Sequence, residues 1–147
     1  YLRLLTNAKI IALDIAEDKR SRALELGADE AIGPDEDIAP CDLIIDFIGA
    51  DITLATAAGA VARKGMIIVV GLGGGQTNFG LGKVPPEARF MTSFWGTRQQ
   101  MDELLALARR EPSLMPSVET LPLSAAPHPH NRLRAESHPT VRRQSRG

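Results

Sequence analysis

Only one cysteine, Cys41, occurs in 147 residues. No internal disulfide can form, and a reducing, cytoplasmic setting is expected. Charge of one sign is not in excess, since 17 basic side chains face 18 acidic ones. No bulk field therefore draws the chain to nucleic acid or to an anionic lipid surface. Apolar runs fall well short of the roughly 20 residues that cross a bilayer, so no membrane partner is expected. No secretory leader pattern opens the sequence. The first residue is Tyr1 rather than methionine, as in a processed, trimmed or incomplete chain. Glycine is missing from the first 13 residues, which excludes a phosphate-binding glycine turn there.

What is there is a regular alternation of apolar runs and helical stretches. Residues 2–5 read as the last turn of a helix, and Ile10–Leu13 as a strand covered on both faces. Ala16–Leu26 has helical spacing and a terminator in Gly27. Ala31 and Ile32 make a very short strand, and Leu43–Ile48 a buried one with Asp46 embedded in it. Asp51 is placed to cap an alanine-rich helix running to about Arg63, ended by Gly65. Met66–Val70 is the clearest strand, followed by a glycine-rich loop. Ala88–Phe94 reads as a further strand, and Thr97 with Gln100 as a capping box opening a helix. From Pro112 onward proline punctuates the chain. Only Ser117–Leu123 suits a strand there and only Asn131–Glu136 a short helix. The pattern predicts an α/β fold with a parallel sheet and helices on its faces.

Ligands of such sheets sit beyond the carboxyl ends of the strands. The residues at those exits are Asp14, Gly49 and Ala50, Gly71 to Gly73, and Trp95 with Gly96. A carboxylate where Asp14 stands can accept both ribose hydroxyls of adenosine and repels a phosphate, favouring NAD over NADP. An ordinary aspartate at a helix start is the alternative. The GLGGG run at 71–75 lacks a following Lys-Ser or Lys-Thr pair and opens directly into no clear helix, so it does not replace that phosphate-binding turn, and a flexible connection is the alternative. A ligand-facing start at Gly71–Gly73 with a less constrained remainder is the expectation.

The stretches ALDIAEDKRSRALELGADEAI (12–32), CDLIIDFIGA (41–50), RKGMIIVVGLGG (63–74) and SFWGTRQQMDELLALA (93–108) together carry a resemblance. The chain resembles the nucleotide-binding half of the zinc-type medium-chain alcohol dehydrogenases over about residues 1–123. The resemblance implies NAD(H) binding and hydride exchange between an alcohol and its aldehyde or ketone. It assigns the adenosine ribose to Asp14, with Lys19 as a positive partner. It puts Ile48 and Gly49 along the cofactor cleft, Gly71 and Leu72 at the nicotinamide end, and Phe94 and Trp95 nearby. Lys19 also reads as a solvated helix lysine, and Phe94 and Trp95 as core or interface aromatics.

The resemblance also implies a separate N-terminal catalytic domain holding zinc, and hence an N-terminally truncated chain. Cys41 alone cannot furnish those ligands. His128, His130 and His138 lie in a proline-broken segment without metal-ligand spacing, so no metal residue is assigned. The expected organisation is a partial NAD-binding Rossmann domain at 1–123 and a divergent, Pro- and Arg-rich tail at 124–147. The expected architecture is an incomplete Rossmann-like, doubly wound parallel sheet. In the strand order 3-2-1-4-5-6 the first strand is central. Without it, the Lys9–Leu13 and Asp42–Phe47 strands would be separated, each with an open apolar edge. Weak or no activity is expected of this chain alone. Non-catalytic nucleotide binding, oligomerisation through the strand near Met91–Phe94, and a degraded remnant are the alternatives. A methyltransferase is a rival parallel-sheet reading.

Overall fold

The computed structural model describes residues 1–112, and the readings made for the tail and its three histidines lie outside them. Nine elements follow one another: α1 (Leu2–Leu5), β1 (Ile11–Leu13), α2 (Glu17–Glu25), β2 (Glu30–Ile32), β3 (Cys41–Asp46), α3 (Asp51–Ala60), β4 (Val61–Val69), β5 (Arg89–Thr92) and α4 (Arg98–Arg110). Their order is the one the sequence pattern predicts. Every strand pairing is parallel. The strands form two sheets, β1-β2 and β3-β4-β5, and β1 and β3 do not touch. The separation expected for a Rossmann-like sheet lacking its central strand is therefore observed among the described residues. The chain divides into a compact unit, Tyr1–Glu103, and a second beginning at Leu104.

The core belongs to the three-stranded sheet. Leu54 and Ala57 of α3 pack on Val61, Ile67 and Val69 of β4, with Ile44, Val84 and Ala88 at the margin. Alternation explains the choice: Ile67 and Val69 face α3, while Met66 and Ile68, alternating with them, stay half-buried. The β1-α2-β2 unit has no comparable core. No residue of α2 is buried, and Leu13 is 40% exposed, so β1 is not covered on both faces as the apolar run suggests.

Polar ties hold that thinner unit instead. The Arg3 guanidinium donates to Gly27 O at 3.0 Å and Ala8 O at 3.2 Å, and pairs with Asp29. The Asp29 carboxylate also accepts Ile10 N–H at 2.7 Å. The Ile10 amide above all, opposed by desolvation and helped by Arg3, draws the Asp29 carboxyl below its ordinary pKa. At Gly27 (φ 98°) α2 ends in a Schellman motif, with Ala28 N bonded to Ala23 O and Gly27 N to Leu24 O. This is the stop that the sequence pattern assigns to Gly27.

Several boundaries differ from expectation, among them β4, which begins at Val61 rather than Met66, and β5, which is confined to Arg89–Thr92. β3 stops at Asp46, before Phe47 and Ile48, because the Asp46 carboxylate captures the Ile48 and Gly49 amides. α3 ends at Ala60 rather than near Arg63, because Val61 already pairs with Cys41 in the sheet. The register jumps from Cys41↔Val61 to Leu43↔Met66, and the extra residues form a bulge with Lys64 at φ 63°. Gly65 lies inside β4, where a Cβ would stand 2.8 Å from Ala62 O. Asp51 is not the cap of α3. The N-cap is Ala50, whose N–H donates to Thr53 Oγ1 at 3.1 Å, and Asp51 instead accepts Gln76 N–H at 2.6 Å. The capping box at α4 forms as expected: Thr97 N donates to Gln100 Oε1 at 2.7 Å, and Gln100 N to Thr97 Oγ1 at 3.2 Å.

A carboxyl whose folded pKa is lowered contributes stability above its unfolded pKa and loses it as pH falls through the folded value. Asp29→Asn should therefore melt lower than the parent at pH 7, with the difference closing as pH falls below the ordinary aspartate range of about 4. Thermal melts across that range check it.

Candidate functional site

Because all strands in each sheet are parallel, their carboxyl ends lie on one side, and the loops there gather the chemistry-bearing residues. At the β1 exit Asp14 folds back on its own turn. Its Oδ1 accepts Ala16 N–H at 2.9 Å, and Arg20 clamps the same turn by donating to Asp14 O at 2.8 Å and Ile15 O at 3.1 Å. Oδ2 has no hydrogen-bond partner among the described residues. Lys19 is exposed on α2, five residues further on.

The β3 and β4 exits are one structure. Gly71 N and Val70 N both donate to Asp46 O, Gly73 N to Ile48 O at 2.8 Å, and Gly75 N to Gly49 O at 2.8 Å. The glycine strand 71–75 thus runs hydrogen-bonded along the β3–α3 turn. A Cβ on Gly71 would lie 2.1 Å from Ile48 C, and one on Gly75 2.4 Å from Ala50 C. Gly75 is therefore as constrained as Gly71, and only Gly74 of the later pair has open space around it. This close approach of two backbones is what the glycines allow, a role that the sequence pattern left to a ligand.

Around this ledge the apolar side chains point outward. Ile48 is 58% exposed and Leu72 80%. An open cleft of about 350 Å³ is lined by Ala50, Asp51, Ile52 and Gly73 to Gly75. Ser93 N donates to Val69 O, so Phe94 and Trp95 leave the sheet beside the β4 exit. Their rings meet edge to face at 5.3 Å, and Trp95 is 85% exposed with φ at 58°. An indole held in the left-handed region costs about 1–2 kcal/mol of backbone strain. The structure thus brings Ile48, Gly49 and Gly71 together, leads Phe94 and Trp95 out beside β4, and sets Asp14 at the exit of the other sheet and Lys19 on α2.

Asp46 was missed as a site residue by sequence reasoning. The signal was a lone carboxylate inside an apolar strand, which must be satisfied if buried. Cys41 opens β3, half-buried, with its thiol donating to Ala39 O at 3.2 Å and pushed up in pKa by desolvation. Among the described residues no group of three His, Cys, Asp or Glu side chains is placed to hold a metal. No helix there is long and apolar enough to cross a membrane.

The sequence pattern of the zinc-binding dehydrogenase family matches residues 2–110, and the chain belongs to that family. Its fold is the Rossmann-like α/β domain of those enzymes. An alcohol dehydrogenase from the archaeon Aeropyrum pernix is 26% identical, with a TM-score of 0.77 over 92% of this chain and 42% of that one. Acetophenone reductase from Geotrichum candidum, solved in complex with NAD, is 24% identical, with a TM-score of 0.77 over 93% of this chain and 41% of that one. The D-arabinose dehydrogenase of Sulfolobus solfataricus is 23% identical, with a TM-score of 0.67 over 84% and 41%. The chain spans about 42% of the length of the first of these.

Glycine substitutions separate crowded from open positions. Gly71→Ala should destabilise by about 1–3 kcal/mol, because backbone has to move. Gly59→Ala, in α3 with nothing within 4 Å of its Cβ position, should stabilise by about 0.5–1 kcal/mol. Urea unfolding of the two variants reads both signs.

Proposed function

We propose that this chain is the NAD(H)-binding portion of an alcohol dehydrogenase, working with a catalytic part that supplies the zinc chemistry. The observation that carries the reading is the β3/β4 exit. There a backbone ledge with exposed Ile48 and Leu72 lies at the carboxyl end of a parallel sheet, in a chain of the zinc-binding dehydrogenase family. The solved NAD complex of a protein with this fold supports the choice of cofactor.

The residues fit a dinucleotide. Asp14 keeps Oδ2 for the ribose hydroxyls while Oδ1 and Arg20 hold its turn rigid. Lys19, in the first turn of α2, adds a cation beside the same sugar. Ile48 and Gly49 offer an apolar wall and an approachable backbone. Gly71 and Leu72 meet the nicotinamide end, and Phe94 and Trp95 exclude water from its far side. When bound, the nicotinamide supplies the hydride acceptor for alcohol oxidation. The residues of this chain orient that ring, and none is assigned proton chemistry. The isolated chain is accordingly expected to bind NAD and to turn over alcohols weakly or not at all. A cytoplasmic location is in keeping with this reading.

Titration with NAD, followed by fluorescence of the sole tryptophan or by calorimetry, should saturate. Asp14→Ala should weaken binding about 10- to 100-fold, the worth of hydrogen bonds to a charged group. No saturation by the parent chain, or full affinity in Asp14→Ala, would count against this assignment. Alcohol turnover by the isolated chain with added zinc would contradict the division of labour.

A second role is favoured by β5. It forms the outer edge of its sheet, all four residues are exposed, and Phe90 and Met91 lie on it. An open edge of this kind is a surface for pairing with a second copy through Met91–Phe94. Since Ser93 N faces β4, the Thr92 N–H faces outward. Thr92→Pro should leave the β4–β5 ladder intact and convert a dimer to a monomer in sedimentation. A monomeric parent would exclude the role.

A further inference from the structure

Asp46 is 7% exposed and is the only buried charged or polar side chain among the described residues. It forms no ion pair among them. A buried carboxylate without a cation is expensive unless donors surround it. Here they do. Oδ1 accepts Ile48 N–H at 2.8 Å and Gly49 N–H at 2.9 Å, and Oδ2 accepts the Thr53 hydroxyl at 2.7 Å. The main-chain oxygen of the same residue accepts Val70 N–H at 2.8 Å and Gly71 N–H at 3.1 Å. Its two ends thus grip different loops: the side chain holds the β3–α3 turn, and the carbonyl holds the start of the glycine strand. Thr53 carries the link onward by accepting Ala50 N–H, which fixes the start of α3.

An apolar side chain at this position would pack the sheet as well, but it could not turn the Ile48 and Gly49 amides inward. Those two bonds leave Gly49 at φ 70°, with a would-be Cβ 2.6 Å from Gly71 O, and leave the Ile48 side chain facing out. We propose that Asp46 is a positioning residue that sets the Ile48–Gly49 turn and the Gly71–Gly73 strand in register as one ledge for the nicotinamide dinucleotide. This rests on the cofactor reading above. Asp46 itself touches no cofactor, being covered by the turn it holds.

The test uses the full chain and four variants: Asp46→Ala, Asp46→Asn, Thr53→Val and, as a core control, Ile67→Val. Three quantities are read: melting temperature, amide hydrogen exchange at Ile48, Gly49, Gly71 and Gly73 without ligand, and the NAD dissociation constant. Asp46→Ala should speed exchange at Ile48 and Gly49 about 10- to 100-fold beyond any global change and raise the dissociation constant by a similar factor. Asp46→Asn should restore both. Its Oδ1 can accept the same two amides, and its Nδ2 can donate to Thr53 Oγ1. Thr53→Val should give an intermediate effect. Ile67→Val should lower the melting temperature without singling out those amides. If Asp46→Ala does not fold, Asp46→Asn and Thr53→Val decide: parent-like exchange in the former with locally faster exchange in the latter supports positioning. The proposal falls if Asp46→Asn exchanges as fast as Asp46→Ala, or if the changes track melting temperature as they do in Ile67→Val. If the parent chain binds no NAD, the cofactor reading fails separately, and the exchange pattern still decides whether Asp46 sets the ledge.

Discussion

The fold depends on a constraint of distance: two backbones must lie against one another where β3 and β4 leave the sheet. Gly71, Gly73 and Gly75 have no room for a Cβ, since Ile48, Gly49 and Ala50 occupy that space as main chain. Such contact takes backbone N–H and C=O groups out of water, and each must find a partner inside the protein. They do so in a short ladder from Asp46 to Gly75. Once the ladder is formed, α3 is held at its start and Leu54 and Ala57 are brought over Ile67 and Val69. Core and ledge are therefore built by the same crossing.

The other layer is organised by different physics. In β1, α2 and β2 no apolar side chain is fully buried. Order there comes from directed polar contacts, with Arg3 joining α1 to Gly27 and Asp29 and with Arg20 closing the Asp14 turn. Exposed ion pairs contribute little by themselves. The bonds to backbone carbonyls matter more, because they restrict the chain at its turns. That is useful for Asp14, whose proposed task needs a fixed direction rather than a deep pocket.

Much of this was legible in the sequence. Runs such as Ile10–Leu13 and Met66–Val70, glycine at 27 and the Thr97/Gln100 pair determine local structure, and they gave the order of elements. Boundaries were less legible wherever a distant residue overrides local preference. Alanines and a following glycine suggest that α3 continues to Arg63, yet pairing of Val61 with Cys41 ends it at Ala60. Asp51 has the chemistry of a cap, but Gln76, 25 residues away, takes its carboxylate. The exits at Asp14, Gly49 and Gly71 could be placed by strand logic alone. The part played by Asp46 could not, because its donors become neighbours only when the strand breaks after it.

The separation of the two sheets has a wider physical meaning. β1 and β3 each turn toward the gap an edge that pairs with no described strand. Amides on such an edge are half of an unfinished lattice, and an extended segment arriving in parallel could complete it from either side. The folding landscape of this chain is thus sensitive to its molecular surroundings. A suitable neighbouring strand would act as a splint between the two sheets, and crowding among identical copies would offer less well matched substitutes.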